Sequence, residues 1–191
     1  MAKADYTVRD LAQHVLKLVE KHGHDGPKLL EGLREPVQKL MRNDLSQQGV
    51  KREGNHIDNS RYLYYDGQMS ITFDHLPKGK FIPPHDHGVW EAMAVYSGKL
   101  KHVVYDRQDD GTKEGFADLK IIDDRVLERN EMAIVAPPSE IHSFTALTDD
   151  TISVTIVGGK YKLDRKYYNQ AEKSYVVRKP KETGIKERAS A

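Results

Sequence analysis

The chain has 191 residues, enough for one domain to bury a core without disulfide or metal staples. Lys and Arg number 30 against 29 Asp and Glu, a net charge of +1 that gives no reason to expect nucleic acid or another polyanion as partner. With no cysteine there are no disulfides, thiolate ligands or thiol nucleophiles, so any metal must be held by His, Asp or Glu.

Met1-Ala2-Lys3-Ala4-Asp5 lacks the apolar core of a signal peptide, and no apolar run approaches the ~18 residues that cross a bilayer, so a soluble cytoplasmic protein with no membrane partner is expected. Thr7, with Asp10 three residues on, reads as a helix N-cap. Val8, Leu11, Ala12, Val15, Leu18 and Val19 then keep helical spacing until Gly23 stops it. Pro27 can open a second helix carrying Leu29, Leu30 and Leu33. Pro36 is expected to open a third with Val37, Leu40 and Met41, because proline fits a first turn far better than a helix interior. These two or three short helices should pack on the outside of a sheet. His22-Gly23-His24 sits in a helix stop with no carboxylate or third histidine beside it and reads as a solvated turn.

From about Arg61 the helical period gives way to short β-branched and aromatic runs at 61–65, 69–74, 80–87, 91–96, 100–106, 117–123, 132–136, 141–147 and 151–157, punctuated by Asp-Gly, Ser-Gly, Pro-Pro and Gly-Gly. Many short strands at regular spacing predict an all-β sandwich or jelly roll. The organisation expected is a helical segment over 1–58, a β domain over 59–170 and a C-terminal extension over 171–191, its last dozen residues a solvated basic tail.

The chemistry is concentrated between Gly79 and Gly98. Strand alternation turns His85 and His87 to one side, and Glu91 shares their parity if Gly88 only bends the chain. Two neutral imidazoles and a carboxylate are what a divalent transition metal needs. A third nitrogen ligand follows at His142, after the proline-fixed turn at Pro137-Pro138. His14, His56, His75 and His102 have no such surroundings and read as surface or satisfied core residues. Trp90 has the opposite parity to Glu91 and should pack on the outer side of the sheet.

These segments resemble the two motifs of the cupins. Gly79, His85, His87, Glu91 and Gly98 match the first in full, while Pro137 and His142 match the second in part, with Glu131, Ser139 and Ala146 where that family usually has Gly, Gly and Asn. The resemblance covers roughly residues 60–160 and implies a cupin double-stranded β-helix, or jelly roll, with His85, His87, Glu91 and His142 as metal ligands. Within the cupins, His85-Asp86-His87-Gly88-Val89-Trp90 is similar to the metal motif of the thiol dioxygenases, the cysteine dioxygenase and 3-mercaptopropionate dioxygenase group. That likeness implies helices before the barrel and a substrate-anchoring arginine on the strand ahead of the motif, where Arg61 stands. Two departures set this chain apart. The Ser-x-His-x-Tyr relay of that group aligns with Ser153, Thr155 and Val157, and Glu91 occupies a position where the group has Cys or Gly. A substrate that binds through carbonyl or hydroxyl oxygens is therefore expected over a thiolate, in a dry pocket.

The function expected is a mononuclear metal-dependent oxygenase, dioxygenase-like, using dioxygen and a small organic molecule. Fe(II) is the first choice of ion, with Ni, Mn or Zn allowed. Met93, Val95, Phe144, Ser153, Thr155 and Val157 are the expected pocket residues beside Arg61, and no catalytic group is expected beyond the metal ligands. A cupin isomerase or lyase using the ion as a Lewis acid, and a non-catalytic metal or ligand-binding cupin, are the alternatives. A homodimer is compatible with each.

Overall fold

A computed structural model describes residues 6–52, 57 and 59–178; His56 and the basic tail lie outside them. Helix α1 spans Val8–His22 and α2 spans Gly26–Leu40. Thr7 caps α1 as its sequence predicts. Its Oγ1 accepts from the Asp10 amide at 3.2 Å, while Asp10 Oδ2 accepts from the Thr7 amide at 2.8 Å. Pro36 does not start a third helix but lies inside α2. A proline there leaves the Gly32 carbonyl without its usual amide donor, and His14 Nε2 of α1 donates to that oxygen instead, at 3.2 Å. The helix thus keeps its proline because the neighbouring helix supplies the missing donor. No helix among the described residues is long and apolar enough to cross a membrane.

Among the described residues twelve strands follow: β1 (Val50–Lys51), β2 (Asn59–Tyr65), β3 (Ser70–Leu76), β4 (Phe81–His85), β5 (Glu91–Ser97), β6 (Leu100–Arg107), β7 (Leu119–Leu127), β8 (Met132–Val135), β9 (Ile141–Ala146), β10 (Thr151–Val157), β11 (Arg165–Asn169) and β12 (Ser174–Arg178). They form two antiparallel sheets, ordered β1-β2-β3-β10-β5-β8 and β12-β11-β4-β9-β6-β7. From β3 to β10 the chain alternates between the sheets except at the β6–β7 hairpin, which is the winding of a jelly roll.

Alternation sorts the strand residues into three clusters, of which Val103, Tyr105, Leu119, Ile141 and Tyr168 form one. Ile71, Phe73, Trp90, Ala92, Ala94, Val154 and Ile156 face outward and are covered by Leu11, Val15, Leu29 and Leu33 of the helices. Met93, Val95, Leu100, Leu127, Phe144 and Ala146 face inward and fill one end of the space between the sheets. The other end of that space holds the histidines.

Strands β1, β11 and β12 carry no readable pattern, because their outer faces are solvated and charged. β11 lies beside β4, with Tyr167 opposite His85. Asp86, buried between two candidate ligands, clamps it there. Its Oδ2 accepts from Lys162 Nζ at 2.7 Å and from the Tyr168 hydroxyl at 2.9 Å, and its Oδ1 accepts from the Lys166 amide at 2.9 Å. Asp86→Ala strips these donors of their charged acceptor and should cost about 3 kcal/mol, a fall in Tm of roughly 6–12 °C. A melting temperature within about 2 °C of wild type would mean that strand pairing alone holds the hairpin.

Candidate metal centre

His85 ends β4 and faces His142 of β9 as its cross-strand partner. His87 lies two residues further on, in a bend where Gly88 takes φ +77°, a value that L side chains rarely adopt. The bend is fastened by Glu140, just ahead of β9, whose Oε2 accepts from the Gly88 amide at 2.7 Å and the His87 amide at 3.2 Å. Glu91 then opens β5 with its side chain inward. All four residues are at least 95% buried.

One nitrogen from each of His85, His87 and His142 falls within 4.8 Å of the others. Glu91 completes the group, with Oε2 at 3.5 Å from His87 Nε2 and Oε1 at 3.6 Å from His142 Nε2. These are not ion pairs, because burial holds the pKa of His87 and His142 well below the usual histidine value and both rings are neutral. They are also too long for hydrogen bonds. The spacing does suit two donors of one ion, since ligands about 2.1 Å from a common centre lie up to about 4.2 Å apart. The donor chemistry agrees: His142 Nε2 is buried with no hydrogen-bond partner among the described residues. The Nδ1 of His85 lies 2.8 Å from the Pro83 carbonyl, which fixes the proton there and leaves the lone pair on Nε2. Burial pushes the Glu91 carboxyl up to about 7 against the pull of its hydrogen bond from Tyr161; contact with a divalent cation would hold it ionised. The four residues fit a divalent metal.

A cleft of about 60 Å³ opens beside this cluster. Met93, Phe144 and Thr155 line it, as do Ile57 and Ile82. Val95 lies in the apolar core between the sheets. Ser153 and Val157 share the inner face of β10 with Thr155 and are buried, but they are not among the residues lining the cleft. Trp90 packs in the outer core beneath the helices.

Arg61 is not at the cleft. Ser60 and Tyr62 pair with Asp74 and Thr72 on the inner face, so Arg61 points outward with Phe73 and donates to the Ser46 carbonyl at 2.8 Å. Arg52, just past β1, reaches the cleft instead, its guanidinium 5.1 Å from the Tyr62 ring and its buried Nε without a partner among the described residues.

The dry pocket expected is apolar on one side only. Thr72, Asp74, Arg52, Tyr161, Arg165 and Tyr167 form its other side. Tyr161, Arg165 and Tyr167 come from the segment that follows β10. The Tyr161 hydroxyl donates to Glu91 Oε2 at 2.7 Å, and burial raises its pKa well above the ordinary phenol value, so it keeps its proton. A phenol therefore does stand at the cluster, four positions beyond Val157. Arg165 lies between two rings, 4.6 Å from Tyr161 and 5.5 Å from Tyr167. Asp74 accepts from Ser60 Oγ and from Thr72 Oγ1 at 2.7 Å. A single signal for these groups was available in the sequence: Lys160 to Tyr168 carries three tyrosines and four basic residues immediately after the last core strand.

No family model matches the sequence, and no curated protein matches it. Similar solved structures include cupin and double-stranded β-helix proteins. KdgF from Halomonas sp. shares 14% identity over 52% of this chain and 78% of its own, with a TM-score of 0.38. A cupin 2 conserved barrel domain protein from Leptotrichia buccalis shares 20% over 52% of this chain and 39% of its own, with a TM-score of 0.38. An uncharacterised protein with a double-stranded β-helix domain from Klebsiella pneumoniae shares 14% over 57% of this chain and 82% of its own, with a TM-score of 0.39.

Proposed function

We propose that this protein is a mononuclear metal-dependent oxygenase for a small anionic organic molecule, with His85, His87, His142 and Glu91 holding the ion. The observation that carries this reading is the meeting of three buried imidazoles and a carboxylate at one end of a small cleft that also presents two guanidinium groups. A bound ion would supply Lewis acidity there and, as Fe(II), electrons for dioxygen.

The remaining steps belong to the chain. A divalent ion together with Arg52 and Arg165 would leave the cleft net positive beside the carboxyls of Glu91 and Asp74, which selects an anion. A guanidinium binds a carboxylate through two parallel hydrogen bonds, and the tyrosine faces hold each arginine in place. Tyr161 keeps its proton and donates it to Glu91 in a hydrogen bond, which holds that carboxyl in place at the cluster. Ile82, Met93 and Phe144 exclude water from the opposite wall.

The Tyr161–Glu91 pair also favours a second reading, an isomerase or lyase in which these two groups move a proton while the ion acts only as Lewis acid. The test is dioxygen uptake by Fe(II)-loaded protein across small carboxylates bearing hydroxyl, keto or thiol groups. Uptake that requires both iron and substrate is the expected result. Conversion of a substrate without uptake selects the second reading. No conversion of any of them would leave a binding protein.

A further inference from the structure

His102 faces inward from β6, across from Phe144 and diagonal to His142 of β9. Its Nε2 lies 2.9 Å from His142 Nδ1, and both rings are 1% exposed. Nothing in the sequence couples them, since the contact depends on the register of two strands forty residues apart. A surface or core-filling role does not account for a nitrogen-to-nitrogen contact of this length between two imidazoles. Exactly one proton has to lie on the line between them, and its owner decides which nitrogen His142 offers to the cluster.

We propose that His102 is the positioning residue of the metal centre: its Nε2 accepts the Nδ1 proton of His142, so that His142 presents Nε2, as a bare donor, to the ion. The inference rests on the metal reading of the triad. The opposite arrangement, with His102 donating, would put a proton on the His142 nitrogen that lies 3.6 Å from Glu91 Oε1 and remove one donor from the cluster. His102 then carries its own proton on Nδ1, which is buried without a partner among the described residues.

The arrangement differs from the carboxylate or carbonyl that commonly backs a metal-bound imidazole. A neutral imidazole steers the ring without adding negative charge behind it. Within this cluster the contrast is visible, because His85 is steered by the Pro83 carbonyl and His142 by another ring. The unpartnered proton on His102 is a polar group left buried, a cost that a purely structural residue at this position would not be expected to carry.

The test uses cobalt(II) as the probe, with affinity measured against a competing chelator and the visible spectrum recorded. His102→Leu removes the acceptor at similar volume, and should weaken cobalt binding about 10- to 100-fold and alter the spectrum. His102→Gln, whose amide oxygen can accept the same proton, should recover most of both. Wild-type affinity and spectrum in His102→Leu would overturn the role while leaving the metal reading intact; a wild-type protein that takes up no cobalt would overturn both. Should the leucine variant not fold, ¹⁵N-labelled histidine in the zinc-loaded wild type decides the matter. A proton on His142 Nδ1 and on His102 Nδ1 supports the proposal, and a proton on His102 Nε2 overturns it.

Discussion

Replacing His85, His87 or His142 singly with Ala is expected to abolish stoichiometric metal binding, the largest effect of any substitution in this protein. Each would supply one of the four proposed donors, the side chains are almost fully buried, and among the described residues the one further imidazole in contact with the cluster, His102, faces His142 and not the proposed ion position. Each variant removes a ring from a polar pocket without opening an apolar cavity, so the fold should persist while metal content falls. Glu91→Gln separates ligation from a supporting role. As a ligand, Glu91 neutralises part of the ion's charge, and the amide should weaken binding strongly and shift the cobalt spectrum. As a proton carrier paired with Tyr161 it should leave metal content intact and lower turnover alone. Metal analysis of the purified variants is the measurement, and near-stoichiometric ion in any two of the histidine variants would remove the triad from consideration.

Why these four residues are readable from the sequence, and their neighbours are not, follows from what fixes each. His85, His87 and Glu91 lie within seven positions of one another, so strand parity and one glycine bend decide their common direction. His142 follows a proline turn that leads into a strand. Arg52, by contrast, reaches the cleft through a two-residue strand whose pairing with Arg61 and Tyr62 has no local signature. The β2–β3 register turns Arg61 outward, so which of these two arginines reaches the cleft depends on pairings that the sequence does not encode locally. Tyr161 and Arg165 depend on how the chain returns after β10. Gly158 sits against Trp90, where an added Cβ would come within 1.9 Å of the indole, and the Lys162 amide then donates to the His87 carbonyl at 2.9 Å. That return path is made of contacts between segments some seventy residues apart, and no periodicity in residues 158–169 announces it. Pro36 shows the same limit in a helix. Its placement was decided by a histidine on the neighbouring helix, a tertiary term that outweighs the local preference of proline for a first turn.

The two arginines give the second large effect, and it can be measured before a substrate is known. Malonate, a small dianion, should bind the cobalt-loaded protein and perturb its visible spectrum, while the neutral malonamide should not. Arg52→Met and Arg165→Met each remove a charge that is partly withdrawn from water. Each should weaken malonate binding at least tenfold, about 1.4 kcal/mol or more, without lowering cobalt content. Replacement by Lys should restore only part of the loss, because an ammonium keeps the charge but not the two-pronged geometry. Arg165 also donates to the Asp86 carbonyl at 3.1 Å, so its variant tests anchoring only if the melting temperature holds; Arg52, whose Nε has no partner among the described residues, is the cleaner probe. Arg61→Met supplies the contrast. Its guanidinium lies on the outer face against the Ser46 carbonyl, and its loss should leave malonate affinity unchanged. Equal weakening in Arg61→Met and Arg52→Met would show that the anion responds to the overall field of the protein, and not to a guanidinium aimed into the cleft.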